Sequence, residues 1–385
     1  MPTSVEAITA LLTELVAVES VNPAFTAGRT SEARLADLVA RRLEEAGLRV
    51  ERREPDPGRV SVLGTLAGTG QGPSLMLYAH LDTVGVEGME RPFEPVVRDG
   101  RLYGRGAYDM KGGLAACLAA VQHLIDGGRA LAGDVIVAAV ADEEVASLGM
   151  ADVLTAVVPD AAIVTEPTEL EICLAHKGFA WFEVTTKGRA AHGSRFEEGI
   201  DANLQMGRFL ARLDALEREL RARAPHPLVG PPSLHAAVLQ GGTGPSTYAD
   251  RCRLTIERRT VPGESADEAL AEIHALLDRL HEEDPFFDAH AITTLARDPF
   301  ESDADRPVTN ALAGAATTVL GRRPPFVGRP YWMDAALLGA AGVDTVVMGP
   351  TGAGAHAAVE WVEIASVAQL ADILSRAAIE FCGTA

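Results

Sequence analysis

The sequence is poor in cysteine and in basic residues, and it has no long apolar run. Its 385 residues contain four scattered cysteines without a Cys-x-x-Cys pair. This usage indicates buried free thiols in a reducing compartment and not a disulfide framework. The N-terminus lacks the basic and apolar regions of an export signal, and no apolar run reaches transmembrane length. We therefore expect a cytoplasmic protein without a membrane partner.

Positive charge is scarce as well. The chain has 34 lysines and arginines against 54 aspartates and glutamates, for a net charge of −20. This balance argues against a nucleic-acid partner, because a phosphate backbone attracts basic surfaces. A hydrophobic content of 47% with 23% charged residues is typical of a globular protein, and a chain of this length is expected to form two domains.

The middle of the chain differs in pattern from the two ends. Residues 179–293 show the order strand, helix, two strands, helix and strand, which is close to a split βαβ sandwich. The flanking residues 1–178 and 294–385 alternate amphipathic helices with buried apolar strands. We predict an α/β protein with a phosphorylase- or hydrolase-like mixed-sheet domain that carries helices on both faces. Residues 179–293 are predicted to form an inserted α+β, ferredoxin-like domain.

Acidic and imidazole side chains collect just after apolar strands, where ligand sites of open α/β sheets lie. The residues are His80 and Asp82 after Leu75–Ala79, Asp142, Glu143 and Glu144 after Val135–Ala141, Glu166 after Ala161–Thr165, and His356 in a small-residue loop after Thr345–Met348. Side chains at i and i+2 of an extended segment point the same way, so Asp82 is placed to bond the imidazole of His80. Each member alone is compatible with a satisfied histidine or a solvated acidic loop. Their convergence favours one common site.

A glycine-rich loop at residues 104–113 precedes a predicted helix and contains Asp109. Glycines before a helix can cradle a phosphate, although this spacing is neither that of a P-loop nor that of a dinucleotide fingerprint. Asp109 is equally compatible with a helix N-cap. A nucleotide-binding α/β protein is therefore the rival interpretation of this loop.

Two imidazoles and several carboxylates, without thiolate, suit Zn²⁺, Mn²⁺ or Co²⁺. Two divalent ions offset the charge of several carboxylates, which makes such a cluster tolerable in a buried cleft. The residues at the strand ends thus predict a two-metal hydrolase.

Several motifs together resemble the co-catalytic zinc family of amidohydrolases and peptidases, which includes acetylornithine deacetylase, succinyl-diaminopimelate desuccinylase, aminoacylase and carboxypeptidase G. The matching segments are His80-Leu81-Asp82-Thr83-Val84, Gly104-Arg105-Gly106, Asp109-Met110-Lys111-Gly112, Asp142-Glu143-Glu144, Glu166-Pro167-Thr168, Ala191-His192-Gly193-Ser194 and Gly354-Ala355-His356. They occur in the family's order and cover nearly the whole chain.

The resemblance implies two divalent metal ions per chain, zinc first, with cobalt and manganese as alternatives. The implied ligands are His80, Asp109 and Glu166 for one ion, and Glu144, His356 and the shared Asp109 for the other. The resemblance also implies a cis peptide bond after Asp109.

Further roles follow from the same resemblance. Glu143 would be the general base, and Asp82 would orient His80. His192, on the inserted domain, would reach the active site of a partner subunit and steady the tetrahedral oxyanion. That role requires a homodimer formed through residues 179–293.

The substrate contacts depart from the family's pattern. The family carries an asparagine after a Gly-Gly loop of the inserted domain, whereas this chain continues through Gly241–Pro245 to Ser246. An arginine on the nearby strand usually binds a substrate carboxylate. Arg259 matches it better than Arg258, and a surface ion pair is the alternative. Met333 stands where the deacetylase and desuccinylase branches often carry a threonine.

The resemblance implies hydrolysis of the amide bond of an N-acyl amino acid. A metallo-carboxypeptidase or dipeptidase acting on small peptides or folate-like conjugates is the alternative within this class. A metal-free relative that binds amino-acid ligands without hydrolysing them is the rival from another class.

Overall fold

The computed structural model describes residues 3–25, 31–128 and 130–384. Its helices are α1 Val5–Ala17, α2 Ala33–Glu45, α3 Gly112–Asp126, α4 Leu148–Ala156, α5 Ala202–Ala222, α6 Ala266–Glu283, α7 Pro307–Leu320, α8 Ala335–Ala340 and α9 Ile364–Cys382. Within these described ranges, no helix combines the length and apolar character needed to cross a membrane.

The strands are β1 Arg49–Asp56, β2 Arg59–Leu66, β3 Leu75–His80, β4 Val96–Arg98, β5 Arg101–Tyr103, β6 Val135–Val140, β7 Ala161–Val164, β8 Ile172–His176, β9 Gly178–Lys187, β10 Ser233–Gly241, β11 Arg251–Thr260, β12 Asp288–Arg297, β13 Phe300–Glu301, β14 Phe326–Arg329, β15 Asp344–Val347, β16 Gly352–Ala353 and β17 Trp361–Glu363. They include the four predicted from the apolar runs, which are β3, β6, β7 and β15.

The chain divides into two compact units. The main unit comprises Met1–Leu174, Ser302–Val327 and Met333–Ala385, and the inserted unit comprises Ala175–Glu301 and Gly328–Trp332. The predicted insert, residues 179–293, lies within the inserted unit. The catalytic and dimerisation roles assigned to these domains stay predictions.

The main unit is built on a mixed sheet with the strand order β1-β2-β6-β3-β7-β15-β8. In its centre β6, β3, β7 and β15 run parallel to their neighbours, while β1 and β2 extend it antiparallel at one edge. Every residue of β3, β6 and β7 is buried, as expected for parallel strands with helices on both faces. This architecture confirms the predicted α/β class.

A smaller sheet of the main unit has the order β16-β17-β5-β4. The hairpin between β4 and β5 turns at Asp99 and Gly100, which both have positive φ. Two adjacent residues with positive φ match the right-handed twist of the flanking strands. An Asp-Gly dipeptide is typical of such a turn.

The inserted unit has the element order β9, α5, β10, β11, α6, β12 and an antiparallel sheet with the order β10-β11-β9-β12. Helices α5 and α6 pack on this sheet. Alternate residues of β9 and β11, such as Phe182, Val184 and Ile256, are buried against Phe209 of α5 and Ile273 of α6. This is the predicted split βαβ arrangement, in which the two helices bury the apolar face of the sheet.

Candidate metal centre

The candidate site lies at one edge of the central sheet of the main unit. His80 is the last residue of β3, Glu143 and Glu144 follow β6, and Glu166 follows β7. His356 lies in the loop between β16 and β17, the two short strands that follow β15. Because β3, β6, β7 and β15 are neighbours and parallel, their carboxyl ends meet at the same edge. The fold therefore brings together side chains that lie up to 276 positions apart in the sequence.

Asp109 reaches this edge from a turn between β5 and α3. The peptide bond between Asp109 and Met110 is cis, as the resemblance implies. The N-cap interpretation of Asp109 is wrong, because Lys111 and not Asp109 is the residue at the N-cap of α3. A Cβ on Gly113 would lie 2.4 Å from the carbonyl oxygen of Thr165. This glycine thus permits the close approach of α3 to the chain next to Glu166.

The site residues form two groups that share Asp109. His80, Asp109 and Glu166 form one, and Asp109, Glu144 and His356 the other; in each group the candidate ligand atoms lie within 4.8 Å of one another. Nε2 of His80 lies 3.1 Å from Oδ1 of Asp109, and Nε2 of His356 lies 3.4 Å from Oδ2. Asp109 therefore presents one oxygen to each group.

The carboxylates of the site repel one another. Burial and repulsion from Asp109 raise the pKa of Glu144 to about 7. Burial and repulsion from Glu166 raise the pKa of Glu143 well above its ordinary value. Although burial opposes it, hydrogen bonds from His356 and His80 hold the pKa of Asp109 well below its ordinary value. Excess negative charge of this kind is what a bound cation would neutralise.

The residues present fit a pair of divalent cations. Oε1 of Glu144 and Oε1 of Glu166 are buried, and neither has a hydrogen-bond partner among the described residues. Buried polar atoms in native proteins normally have partners, so these two oxygens point to an additional group at the site. The donors are imidazole nitrogens and carboxylate oxygens, which suit zinc, cobalt or manganese.

Asp82 acts on His80 through its backbone. Nδ1 of His80 lies 2.9 Å from the carbonyl oxygen of Asp82, whereas the nearest oxygen of the Asp82 carboxylate is 3.7 Å away. The prediction that the carboxylate bonds the imidazole therefore differs from the observed geometry, because β3 ends at His80 and the i to i+2 rule applies within extended strands;. A carbonyl oxygen can only accept, so Nδ1 carries the proton and Nε2 is left to face Asp109 and Glu166.

The Asp82 carboxylate instead holds the loop that carries the acidic triplet. Its Oδ1 accepts from the amide of Glu143 at 3.0 Å, and its Oδ2 accepts from the amide of Glu144 at 3.2 Å. Its Oδ2 also accepts from the side-chain amide of Asn22 at 2.9 Å. Asp82 thus positions Glu143 and Glu144 through their backbone.

Asn22 continues this network away from the site. Its amide also donates to Asp142 at 2.9 Å, and its carbonyl accepts from Arg59 at 3.0 Å. Arg59 pairs with both Asp142 and Glu32, and all four of these side chains are buried. None of the motifs in the sequence contains Asn22, Arg59 or Glu32.

On the inserted unit, His192 and Ser246 lie close together and both are exposed. The amide of Gly193 donates to the carbonyl oxygen of Ser246 at 2.8 Å, which ties the two loops. Nδ1 of His192 lies 2.8 Å from the hydroxyl of Ser194. The imidazole of His192 is therefore oriented by a neighbour while it remains open to solvent.

The two candidate arginines differ in environment. Arg258 is buried and pairs with Glu264 at 3.1 Å. The side chain of Arg259 is 34% exposed, pairs with Glu257 and lies over the ring of Phe179. Arg259 is therefore the more accessible of the two, whereas the charge of Arg258 is neutralised within the fold.

Met333 does not present its side chain to solvent. It is 1% exposed, and the next residue, Asp334, accepts a hydrogen bond of 2.6 Å from the hydroxyl of Tyr78. Burial raises the pKa of Asp334 to about 6. The departure from threonine at position 333 thus leaves an apolar side chain in the core.

The family model described as peptidase family M20/M25/M40 matches residues 76–380. The chain belongs to this family. An acetylornithine deacetylase of Myxococcus xanthus is 30% identical over 394 residues, covering 100% of each chain. Membership confirms the prediction of a metal-dependent amidohydrolase or peptidase.

Two further relatives show how widely the sequence and the fold are shared. The N-formyl-4-amino-5-aminomethyl-2-methylpyrimidine deformylase of Bacillus subtilis (strain 168) is 31% identical over 264 residues, which cover 64% of this chain and 62% of that protein. The crystal structure of aminopeptidase PepT from Bacillus cereus ATCC 10987 has a TM-score of 0.81 at 18% identity and covers 99% of each chain. At that identity the second likeness shows the fold alone.

Proposed function

We propose that this protein hydrolyses the amide bond of N-acyl amino acids with two divalent metal ions, zinc first. The observation that carries the proposal is the meeting of His80, Glu166, Glu144 and His356 around a shared Asp109, with Glu143 beside them. His80, Asp109 and Glu166 would hold one ion, and Glu144, His356 and Asp109 the other. When bound, two such metal ions polarise the substrate carbonyl and lower the pKa of water toward neutrality.

Glu143 would carry the proton in this reaction. Its carboxylate is partly buried, and burial with repulsion from Glu166 raises its pKa well above its ordinary value, so it is a stronger base than a surface glutamate. Glu143 would accept a proton from the attacking water and later donate it to the nitrogen of the leaving amine. Asp82 would keep Glu143 in place through the hydrogen bond to its amide.

His192 and Arg259 would contact the substrate, and their positions support a homodimer. His192 and Ser246 lie at the end of the inserted sheet where β9 ends and β11 begins, next to the Arg251–Lys187 pair. Arg259 lies eight residues further along β11, which is about 25 Å in an extended strand. One copy of the inserted unit therefore cannot bring both ends to one small substrate, but two copies can.

The named relatives favour deacylation over peptide cleavage. The Myxococcus xanthus relative is a deacetylase that matches along the full length, and the Bacillus subtilis relative is a deformylase. A cytoplasmic location is proposed with the same function, supported by four cysteines that are all free and buried;.

The test combines metal content with a substrate panel. The purified protein, loaded with Zn²⁺, Co²⁺ or Mn²⁺ in turn, would be analysed for bound metal and assayed on N-acetyl-ornithine, N-succinyl-diaminopimelate, several N-acetyl and N-formyl amines and a few dipeptides. We expect about two metal ions per chain and turnover of N-acyl amino acids. Turnover of dipeptides alone would favour the carboxypeptidase or dipeptidase alternative.

Matched variants sharpen the metal measurement. His356→Ala is expected to lose one of the two ions, because it removes a ligand from one group only. His290→Ala, an exposed histidine on β12, should keep both. A wild-type protein that binds no metal under saturating conditions would contradict the proposal.

A further inference from the structure

Glu360 is a buried carboxylate that none of the roles above uses. It is 1% exposed. Its Oε1 accepts from the amides of Tyr108 and Asp109 at 2.9 and 3.0 Å. Its Oε2 accepts from the amide of Gly106 at 2.9 Å and from the guanidinium of Arg105 at 2.7 Å. The Glu360 carboxylate thus binds three backbone amides of the turn that carries Asp109, together with the side chain of Arg105.

Arg105 extends this clamp to two other loops of the site. Its Nε donates to the carbonyl oxygen of Gly85 at 2.9 Å, and its Nη2 donates to the carbonyl oxygen of Ala357 at 3.1 Å. Gly85 lies three residues after Asp82, and Ala357 directly follows His356. The Glu360–Arg105 pair therefore joins the chain after β3, the turn of Asp109 and the loop of His356.

The shared role of Asp109 makes its backbone position critical. Its Oδ1 faces His80 and its Oδ2 faces His356, at 3.1 and 3.4 Å. A rotation of the turn would move both carboxylate oxygens of Asp109 at once, so it would change the geometry of both metal-ligand groups. The only side chain among the described residues that accepts a hydrogen bond from the Asp109 amide is Glu360.

We infer that Glu360 is a positioning residue that holds Asp109 between the two metal-ligand groups and, through Arg105, holds the loop of His356. The inference rests on the proposed function, in which Asp109 is the shared ligand. It is distinct from a purely structural role, because it requires Glu360 to change metal affinity at both groups and not only the stability of the fold.

The test is Glu360→Gln in the full-length protein, titrated with Zn²⁺ by calorimetry in the presence of a competing chelator. The glutamine NH2 group would replace either Oε1, and so face the amides of Tyr108 and Asp109, or Oε2, and so face the Gly106 amide and the Arg105 guanidinium. In either orientation two donors lose their acceptor. We expect the Kd for Zn²⁺ to rise about 10- to 100-fold at both groups, the usual effect of removing a residue that supports a ligand. The rise in Tm on adding Zn²⁺ should shrink accordingly.

Glu363→Gln is the matched control, since Glu363 is exposed and makes no side-chain cap at the start of α9. It should bind Zn²⁺ like the wild type. A Glu360→Gln protein with a lower metal-free Tm but unchanged Zn²⁺ affinity would overturn the inference and leave a structural role. If the wild type itself binds no Zn²⁺, the proposed function fails and this inference with it.

A second variant keeps the inference testable if Glu360→Gln does not fold. Arg105→Lys retains a positive charge for Glu360 but loses the paired donors to Gly85 and Ala357. We expect a weaker effect of about tenfold in Kd for Zn²⁺, concentrated at the group that contains His356. Unchanged Zn²⁺ affinity in a folded Arg105→Lys protein would overturn the inference.

Discussion

The two units differ in how deeply most of their candidate functional side chains are buried, with exposed His356 and buried Arg258 as the exceptions. In the main unit, His80 and Glu166 are buried, the imidazole of His80 donates to the carbonyl oxygen of Asp82, and the Asp82 carboxylate holds the backbone amide of Glu143. In the inserted unit, His192 is exposed and Arg259 is partly exposed. Groups that bind metal ions need geometry that is set before the ions arrive. Groups that contact a substrate remain exposed to solvent, because their hydrogen-bond partners are supplied only when the substrate or a second subunit binds.

The largest effect on activity is expected for Glu143, the proposed general base of the main unit. Glu143→Gln removes the proposed base, but the backbone amide of residue 143 can still donate to Asp82. We expect kcat to fall about 10²- to 10⁴-fold, the usual contribution of a general base, with two metal ions still bound. Steady-state kinetics and metal analysis on the same preparation measure both.

Glu44→Gln, an exposed glutamate on α2, is the matched control and should keep full activity. Loss of metal from Glu143→Gln would mean that the roles of Glu143 and Glu144 are exchanged. Glu144 would then be the general base, and Glu143 would be the metal ligand.

His192→Ala tests the exposed half of the comparison. If His192 steadies the oxyanion, its removal should lower kcat about 10²-fold, as the loss of one oxyanion donor does. Metal content and Tm should not change, because the side chain is exposed. His290→Ala serves as the control. A large drop in Tm for His192→Ala would show that the residue is part of the fold and break the contrast.

Asn22→Ala tests the network behind the site, with a smaller effect. The change leaves Asp82 and Asp142 facing each other without their shared donor, and it leaves Arg59 without one acceptor. We expect the free energy of unfolding to fall by about 2 kcal/mol, the cost of unsatisfied buried groups, as measured by urea denaturation. kcat should fall as well, because Asp82 holds the backbone of Glu143.

Asn310→Ala, an exposed asparagine on α7 that donates to the carbonyl oxygen of Asp305, is the matched control. Equal losses of stability in the two variants would show that the buried network adds nothing beyond an ordinary surface hydrogen bond.

The parts of the site that follow strands were predictable, and the parts that support them were not. Apolar runs such as Leu75–Ala79 mark buried parallel strands, and such strands place their following residues at one edge. Asn22 gave no such signal, because its partners Asp82 and Asp142 lie 60 and 120 residues away. Glu360 is 251 residues from Asp109. Contacts between such distant positions leave no local pattern in a single sequence.

The strand β1 was missed for a different reason. Its sequence from Arg49 to Asp56 is dominated by charged residues, and its side chains are mostly exposed. It is an edge strand held by backbone pairing with β2. Because hydrogen bonding and not apolar burial defines it, the alternation that reveals half-buried strands is absent.

Arg259→Ala should have the smallest effect, and it sharpens the comparison within the inserted unit. A half-exposed arginine that binds a substrate carboxylate acts mainly on affinity, so KM should rise about tenfold, equivalent to about 1.4 kcal/mol. The effect should vanish for substrates whose carboxylate is replaced by an amide. Arg251→Ala, exposed at the other end of β11, should leave KM unchanged. An equal change in KM for the carboxylate and amide substrates would show that the pair of Arg259 with Glu257 is structural. Another residue would then bind the substrate carboxylate.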